Sequence, residues 1–187
     1  MKAALEKYKP GFPVIETERL RLRSMNSSDR DGLFALFSDP EVLRYYNIDP
    51  LHEVSEADAM IERLRKGFEA GTVVRWGIEW KNEPGVIGTI GLHAAPDHSF
   101  AAEIGFNFVR SLWGKGLATE IIPAVVRFGI ETLELERIEA RVVTGNNASR
   151  RVLEKTGFHY EGLLRKKGAW RNGLHDLHYY SILKNEN

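Results

Sequence analysis

The sequence predicts an α/β fold: one domain with a mixed, mostly antiparallel sheet of six or seven strands and flanking helices. Apolar residues alternate with polar ones in several short runs, as in pleated strands. Between those runs they recur every three or four residues, as in amphipathic helices. One strand–helix–strand unit, over 103–143, requires a parallel pair with a right-handed crossover. The length of 187 residues fits one domain that buries roughly 70% of its unfolded surface.

The first third of the chain predicts one strand followed by helices. Leucines alternate with arginines over 18–25, which indicates a strand. Residues 26–29 read Asn-Ser-Ser-Asp, a helix cap, and the helix they begin carries Leu33, Phe34 and Phe37. Asp39-Pro40 predicts a helical turn through Tyr46. A Ser55-x-x-Asp58 start and a glycine at 71 bound a longer amphipathic helix.

The rest of the chain alternates strands with two helices. A hairpin turn over 81–85 joins two strands, and an Asn-Gly turn at 172–173 closes a second hairpin. A long helix follows the strand at 103–109, and Pro123 within it predicts a kink. A short helix begins near Asn146 and stops at Gly157. The predicted strands are Val73–Trp80, Val86–His93, Glu103–Val109, Ile138–Val143, Phe158–Arg165 and Leu174–Leu183.

Composition excludes several classes of function. Twenty-six basic residues balance 26 acidic ones, so neither nucleic acid nor an anionic membrane is expected as a partner. The sequence has no cysteine, which excludes disulfides, thiolate metal sites and a cysteine nucleophile and fits a reducing cytoplasm. No apolar run approaches the ~20 residues that span a bilayer. Residues 1–12 have no signal-peptide pattern and are expected to form an N-terminal extension to a domain over 13–187.

The join between the 103–109 strand and the following helix is rich in small residues. Gly114, Gly116 and Ala118 allow a close approach of the backbone, and the free N–H groups of a helix start can then bind an anion such as pyrophosphate. A simple tight turn is the alternative, since glycine is the ordinary turn residue. A P-loop is excluded because Lys115 is not followed by Ser or Thr, and a dinucleotide fingerprint because Thr119 stands at its third glycine position.

A second stretch, 145–158, changes the balance between these alternatives. It reads GNNASRRVLEKTGF, a short helix with an asparagine start and a glycine stop. Together the stretches resemble the GNAT superfamily of acyl-CoA-dependent N-acyltransferases, whose phosphate loop reads [Q/R]-x-x-G-x-[G/A] and whose next motif is N-x-x-S. Trp113 replaces the first loop residue. The Trp-Gly-Lys-Gly motif and the Glu161-Gly162 pair are most similar to the branch of the superfamily that includes ribosomal-protein N-terminal acetyltransferases. The resemblance covers residues 13–183.

The resemblance implies acetyl-CoA as cosubstrate and a set of residues that bind it. Two central parallel strands are expected to splay apart around the pantetheine arm. Backbone N–H groups near the end of the first of these strands would bond the pantetheine and polarise the acyl carbonyl. The implied cofactor-binding residues are Phe106, Phe108, Val109, Trp113, Gly114, Lys115, Gly116, Leu117, Ala118, Thr119, Asn146 and Ser149.

Two side chains are candidates for proton transfer. Without cysteine, direct attack by the amine is favoured over an acyl-enzyme. Ser149 lies where the family places a hydroxyl near the CoA sulfur, and its alternative role is to cap its own helix. Glu103 could accept the amine proton, directly or through water. Glu161 is a second candidate base, although a salt-bridged strand residue is the favoured interpretation. Some relatives carry a glutamate where this sequence has Gly168.

The acceptor is expected to be a primary amine, an α-amine of a protein N-terminus or a small amino compound. Tyr45, Tyr46 and Trp170 are candidate substrate-binding residues, while core packing is the alternative for the tyrosines. His175-x-x-His178 points to opposite faces of a strand, so no metal site is expected. A non-catalytic CoA-binding or sensor protein of the same fold is the alternative function. The sequence leaves open whether the chain forms a homodimer.

Overall fold

A single sheet organises the parts of the chain that the computed structural model describes, namely residues 1–8, 11–95, 100–170 and 173–186. Across these residues the sheet has eight strands in the order β1-β2-β3-β4-β5-β6-β8-β7. This is one or two strands more than predicted, because the two-residue β1 is too short to show an alternation. The strands are β1 (Ile15–Glu16), β2 (Leu20–Arg23), β3 (Val73–Trp80), β4 (Glu83–Ala94), β5 (Ala101–Phe108), β6 (Arg137–Val143), β7 (His159–Trp170) and β8 (Gly173–Leu183).

Helices cover both faces of this sheet and begin and end largely where capping residues predict. Asn26 caps the first helical turn as predicted, through a capping box with Asp29, and Gly71 ends the helix over 54–70 in the left-handed conformation at φ +73°. That helix starts slightly earlier than predicted, because Glu53 and Glu56 form its capping box. The helices are α1 (Lys2–Glu6), α2 (Arg30–Phe37), α3 (Val54–Ala70), α4 (Leu117–Arg127) and α5 (Asn147–Lys155).

The predicted helical turn from Asp39 to Tyr46 is instead a series of turns. The backbone N–H of Arg44 donates to the Glu41 carbonyl at 3.3 Å and that of Tyr46 to the Leu43 carbonyl at 2.9 Å, both three residues back, so the consecutive four-residue bonds of an α-helix do not form. The turns bring Tyr46 to the sheet, where its hydroxyl donates to the carbonyl of Phe106. This segment therefore forms a wall beside β5.

The larger hydrophobic cluster lies between the sheet and the helices α1, α4 and α5. Leu5 of α1 is buried in it, so the N-terminal segment is packed onto the domain. Trp76 is fully buried and donates from Nε1 to the carbonyl of Pro13 at 2.8 Å. Pro123 does not end α4, which continues to Arg127 and then into a π-helical turn, Phe128–Thr132. Among the described helices, none combines the length and apolar character needed to cross a bilayer.

The parallel pair β5–β6 is short, and this opens the sheet. Only Ala101–Glu103 pair with Arg137–Glu139, while the other strand pairs of the sheet are antiparallel. Beyond Glu103 the two strands separate, as the family resemblance predicts. Both halves of the sheet remain complete on either side of the gap, so an extended ligand can reach the gap-facing backbone of β5.

Candidate active site

The predicted phosphate loop has the backbone conformation that an anion cradle requires. Gly114 and Gly116 have φ of +76° and +75°, a region that favours glycine. A Cβ at Gly114 would meet no described atom within 4 Å, so steric crowding is not the reason for a glycine there. Gly116 is the N-cap of α4, and no described side chain caps this helix. The first N–H groups of α4 are therefore free to bind an anion.

A polar latch that the sequence did not reveal holds this loop against the turn between β1 and β2. Glu120 in the first turn of α4 accepts hydrogen bonds from Arg19 Nε at 2.6 Å and from the Arg19 backbone at 2.9 Å. Thr17 adds a third donor, at 2.5 Å. Arg19 Nη1 also donates to the Lys115 carbonyl at 3.3 Å. The latch fixes the direction of α4 and of the loop that precedes it.

A cavity of about 350 Å³ runs from this loop towards α5. Trp113 to Thr119 line one end, and Asn146 and Ser149 line the other. Arg151 and Lys155 also face it from α5, one turn apart, and offer cations for a phosphate. Sequence reasoning missed these two residues, although their i, i+4 spacing on a helix is visible in the sequence. The cavity thus brings together the two motifs that the sequence places 30 residues apart.

The edge of β5 presents free backbone donors to the same cavity. The carbonyls of Phe106 and Phe108 accept from Tyr46 and from Trp113 Nε1, the latter at 2.9 Å. Since a strand residue points its N–H and C=O to the same edge, the N–H groups of Phe106 and Phe108 also face the gap. Val109 is different, because its N–H donates to Ile87 at 2.9 Å. That N–H is therefore unavailable to a cofactor.

A second cavity of about 320 Å³ adjoins the first on the other side of the β5–β6 gap. Five residues line both cavities: Tyr45, Tyr46, Phe106, Asn146 and Ser149. The second cavity extends between β5 and β6 to the buried residue Gly168 of β7. Two molecules bound in the two cavities would therefore meet beside Ser149.

Ser149 does not cap α5, which removes the alternative role considered for it. Asn146 is the N-cap and accepts from the Ser149 backbone N–H at 3.2 Å. The Ser149 hydroxyl makes no hydrogen bond to any other described residue, and it lies where the cavities join. The hydroxyl is thus free to interact with a ligand.

Glu103 lines the second cavity, but its carboxylate is paired. Arg141 of β6 donates to Glu103 from Nη2, and this contact raises the pKa of the Arg141 guanidinium. Glu161 lines neither cavity. Ser181 and Arg137 bind it and lower the pKa of its carboxyl, which fits the favoured interpretation of a salt-bridged strand residue.

A polar row crosses the sheet beside the second cavity. Arg75 of β3 donates from Nε to Thr89 Oγ1 at 3.1 Å, and its Nη1 lies 3.0 Å from His93 Nε2. Thr89 in turn donates to Asn107 Oδ1 at 2.7 Å, and Asn107 Nδ2 is buried without a described partner. Burial, followed by the charges of Arg75 and Arg141, lowers the pKa of His93 to about 4. His93 is therefore neutral at pH 7 and accepts from Arg75.

The remaining predicted residues are distributed as follows. Tyr45 lines both cavities and its hydroxyl donates to the Gly145 carbonyl at 3.2 Å. Trp170 ends β7, and its backbone pairs with Gly173, while its side chain lies outside the described part of the structure. Asn172 of the predicted Asn-Gly turn also lies outside the described residues. Within the described ranges, no group of three or more His, Asp or Glu side chains could hold a metal ion.

Comparisons with known proteins match this architecture. The profile described as "Acetyltransferase (GNAT) domain" covers residues 19–159. The uncharacterized N-acetyltransferase YoaA of Bacillus subtilis is 41% identical over 174 residues, which cover 92% of this chain and 98% of YoaA.

Two solved structures share the fold. The GNAT-family acetyltransferase from Bacillus anthracis has a TM-score of 0.82 and 26% identity, over 93% of this chain and 100% of that chain. RimJ from Mycobacterium smegmatis, in complex with CoA-disulfide, has a TM-score of 0.82 and 23% identity, over 92% of this chain and 88% of that chain. At that identity the likeness to RimJ concerns the fold alone. The profile match and the relative in Bacillus subtilis together show that this chain belongs to the GNAT family of acyl-CoA-dependent N-acetyltransferases.

Proposed function

We propose that this enzyme transfers an acetyl group from acetyl-CoA to the α-amine of a protein N-terminus or of a small amino compound, by direct attack. The observation that carries the proposal is the junction of the two cavities beside Ser149 and Phe106. One cavity has the donors that a CoA needs, and the other is open to an acceptor. A reducing cytoplasm fits the absence of cysteine.

The residues around the first cavity fit CoA. The uncapped start of α4 and the loop at Gly114 and Gly116 would hold the pyrophosphate, and Arg151 and Lys155 offer cations for a further phosphate. Bound acetyl-CoA supplies an activated acyl thioester. The N–H groups of Phe106 and Phe108 would donate to an oxygen at the edge of β5, where negative charge develops during acyl transfer.

Proton transfer in this proposal involves few groups. The amine nitrogen bonds to the acyl carbon as the carbon–sulfur bond breaks, so the amine loses one proton and the sulfur gains one. Ser149 has a hydroxyl without a described hydrogen-bond partner at the junction, and it would pass its proton to the departing sulfur and regain one from solvent. Glu103 is the carboxylate in the second cavity, where it is paired with Arg141. It would accept the amine proton directly or through water.

An acceptor that deprotonates easily needs less help from a base. An α-amine has an intrinsic pKa of about 7.7–8.0, against about 10.4 for a lysine side chain. At neutral pH the α-amine therefore has a much larger neutral fraction. We accordingly favour an α-amine over a lysine ε-amine.

The test is a competition between two peptides for acetylation in the presence of acetyl-CoA. One has a free N-terminus and blocked lysines, and the other has a blocked N-terminus and free lysines; small amines complete the panel. Release of CoA thiol gives the rate, and mass spectrometry locates the acetyl group. The expected result is acetylation of the α-amine. Preferential acetylation of lysine would contradict it, and tight CoA binding without turnover on any amine would favour the non-catalytic CoA-binding alternative.

A further inference from the structure

The second cavity, which is the proposed binding site of the acceptor amine and is called the acceptor cavity below, carries an excess of positive charge. Its charged lining residues are Glu103, Arg141 and Lys167. Glu103 and Arg141 pair with each other, which leaves Lys167 exposed and uncompensated by the described lining residues. Arg75 is not a lining residue itself, but it adds a second cation at the edge of the cavity, because a Cβ on the lining residue Gly105 would lie 3.8 Å from Arg75 Nη1.

Two glycines allow Arg75 to reach this position. Arg75, Gly91 and Gly105 are register partners on three adjacent strands, so all three occupy one row of one sheet face. A Cβ at Gly91 would lie 2.9 Å from the Arg75 Cγ, so only a glycine there lets the arginine stem cross β4. A Cβ at Gly105 would lie 3.8 Å from Arg75 Nη1. The guanidinium therefore ends against the bare backbone of β5, at the edge of the acceptor cavity.

The neighbours of Arg75 orient it but do not neutralise it. Thr89 and His93 accept hydrogen bonds from it on either side, and the hydroxyl of Tyr46 lies close by. None of these groups is anionic at neutral pH, since His93 is neutral and burial raises the pKa of Tyr46. Among the described residues, no carboxylate forms a salt bridge with Arg75. A charged group that is mostly buried requires an opposite charge, and a ligand can provide it.

We propose that the acceptor carries a carboxylate within a few bonds of its reactive amine, and that Arg75 and Lys167 bind this carboxylate. This inference rests on the proposed function and narrows its substrate class. The carboxylate could belong to a free α-amino acid or to an acidic side chain next to a peptide N-terminus, and the recognition chemistry is the same. Arginine suits this role because its planar fork matches the geometry of a carboxylate.

The same charges would exclude polyamines and assist the reaction. A cationic field opposes the binding of a second ammonium group, so spermidine should be a poor acceptor. It also favours the neutral form of the bound amine, which is the nucleophilic form. The groups that set this field are Arg75, Arg141 and Lys167, with Glu103 opposing them and His93 neutral.

The experiment compares acceptors that differ only in the negative charge. Thiol release from acetyl-CoA is measured with L-α-amino acids and with their C-terminal amides. A second arm uses N-terminal dipeptide sequences Ala-Asp and Ala-Asn within otherwise identical amidated peptides, and spermidine is a third. We expect kcat/KM for the carboxylate form to exceed that for the amide by about ten- to hundredfold, as for a charge-assisted hydrogen bond. The arm in which this preference appears identifies the source of the carboxylate.

Two variants and a control test which residues recognise the carboxylate of the acceptor. Arg75→Met should reduce the carboxylate-to-amide ratio to near one, and Lys167→Met should reduce it in part. Arg21→Met, at an exposed position of β2, is the matched control and should leave the ratio unchanged. The dissociation constant of CoA reports whether each variant is folded. If Arg75→Met does not fold, the exposed Lys167 still gives the test.

The outcomes separate this inference from the proposed function. Equal or better turnover of amides or spermidine would overturn the carboxylate subsite while leaving acetyl transfer to amines intact. An equal loss of activity on acid and amide in Arg75→Met would assign Arg75 a purely structural role and overturn it too. Transfer to no amine in any arm would overturn the proposed function and this inference together.

Discussion

Replacement of Gly116 by aspartate should abolish CoA binding while leaving the protein folded. A Cβ at this position points into open space, with Arg19 Nη2 as its nearest described neighbour at 3.9 Å. The side chain therefore fits, and the main cost to folding is the left-handed φ of +75°, worth about 1 kcal/mol. Aspartate tolerates this region better than most residues.

The effect on binding comes from charge at the uncapped end of α4. The new carboxylate would accept from the same N–H groups that the pyrophosphate needs. It would also repel two phosphate charges about 6 Å away, which at an effective dielectric constant of about 40 costs about 3 kcal/mol. Arg19 already pairs with Glu120, so it cannot neutralise the new charge without breaking that contact. Together these effects correspond to at least a 100-fold rise in the dissociation constant.

Isothermal titration with CoA measures this change, and a thermal melt confirms folding. Gly116→Asn is the matched control, because asparagine has the same size and tolerates the same φ but is neutral. We expect the CoA affinity of Gly116→Asn to fall by less than tenfold. Unchanged CoA affinity in folded Gly116→Asp would refute the anion cradle, and equal losses for both variants would show that bulk, and not charge, is responsible.

Three further predictions concern Ser149, Glu120 and His93. Ser149→Ala should lower kcat about tenfold or more with little change in CoA affinity or melting temperature, since Asn146 still caps α5; a loss of stability at unchanged kcat would contradict this. Glu120→Gln should weaken CoA binding several-fold and destabilise the protein by about 1 kcal/mol, because it weakens the hydrogen bonds that Glu120 accepts from Arg19. Glu131→Gln, at an exposed position, is the control and should change neither the titration nor the melt. The pKa of His93 falls from 6.5 to about 4 on folding, so the unfolded chain binds the extra proton between those values and stability must decrease as the pH falls through that window. Because the residue is partly exposed, we expect about 1 kcal/mol between pH 7 and pH 5, and urea titrations should show that His93→Gln abolishes this component.

Features that depend on local sequence could be predicted, while those that depend on strand register could not. Asn26 and Gly71 mark helix ends through bonds to their immediate neighbours, so the sequence shows them directly. The glycine loop is equally local. In contrast, the pairing of Glu103 with Arg141 joins residues 38 positions apart on parallel strands. Its existence follows from the register of β5 and β6, which no single stretch of sequence determines.

The row of Arg75, Gly91 and Gly105 shows the same limit. Each glycine by itself reads as an ordinary interruption of a strand. Their common purpose, to let one arginine lie across two strands, becomes visible once three strands are aligned. The choice between roles for Ser149 was also undecided by sequence, because both Asn146 and Ser149 are good caps, and the observed bond from the Ser149 backbone to Asn146 decides it.

The short parallel contact between β5 and β6 has a consequence for cooperativity. Three residue pairs connect a five-stranded block to a three-stranded block, so the backbone ladder is nearly interrupted in the middle of the molecule. Without ligand, amides at this boundary should exchange with deuterium through local opening that leaves the outer strands closed. A ligand that forms hydrogen bonds with the free backbone edge of Phe106 and Phe108 would replace the backbone hydrogen bonds that β5 and β6 lack. Hydrogen exchange should then show the two blocks unfolding more nearly as one unit when CoA is bound, with the largest gain in protection along the β5 edge.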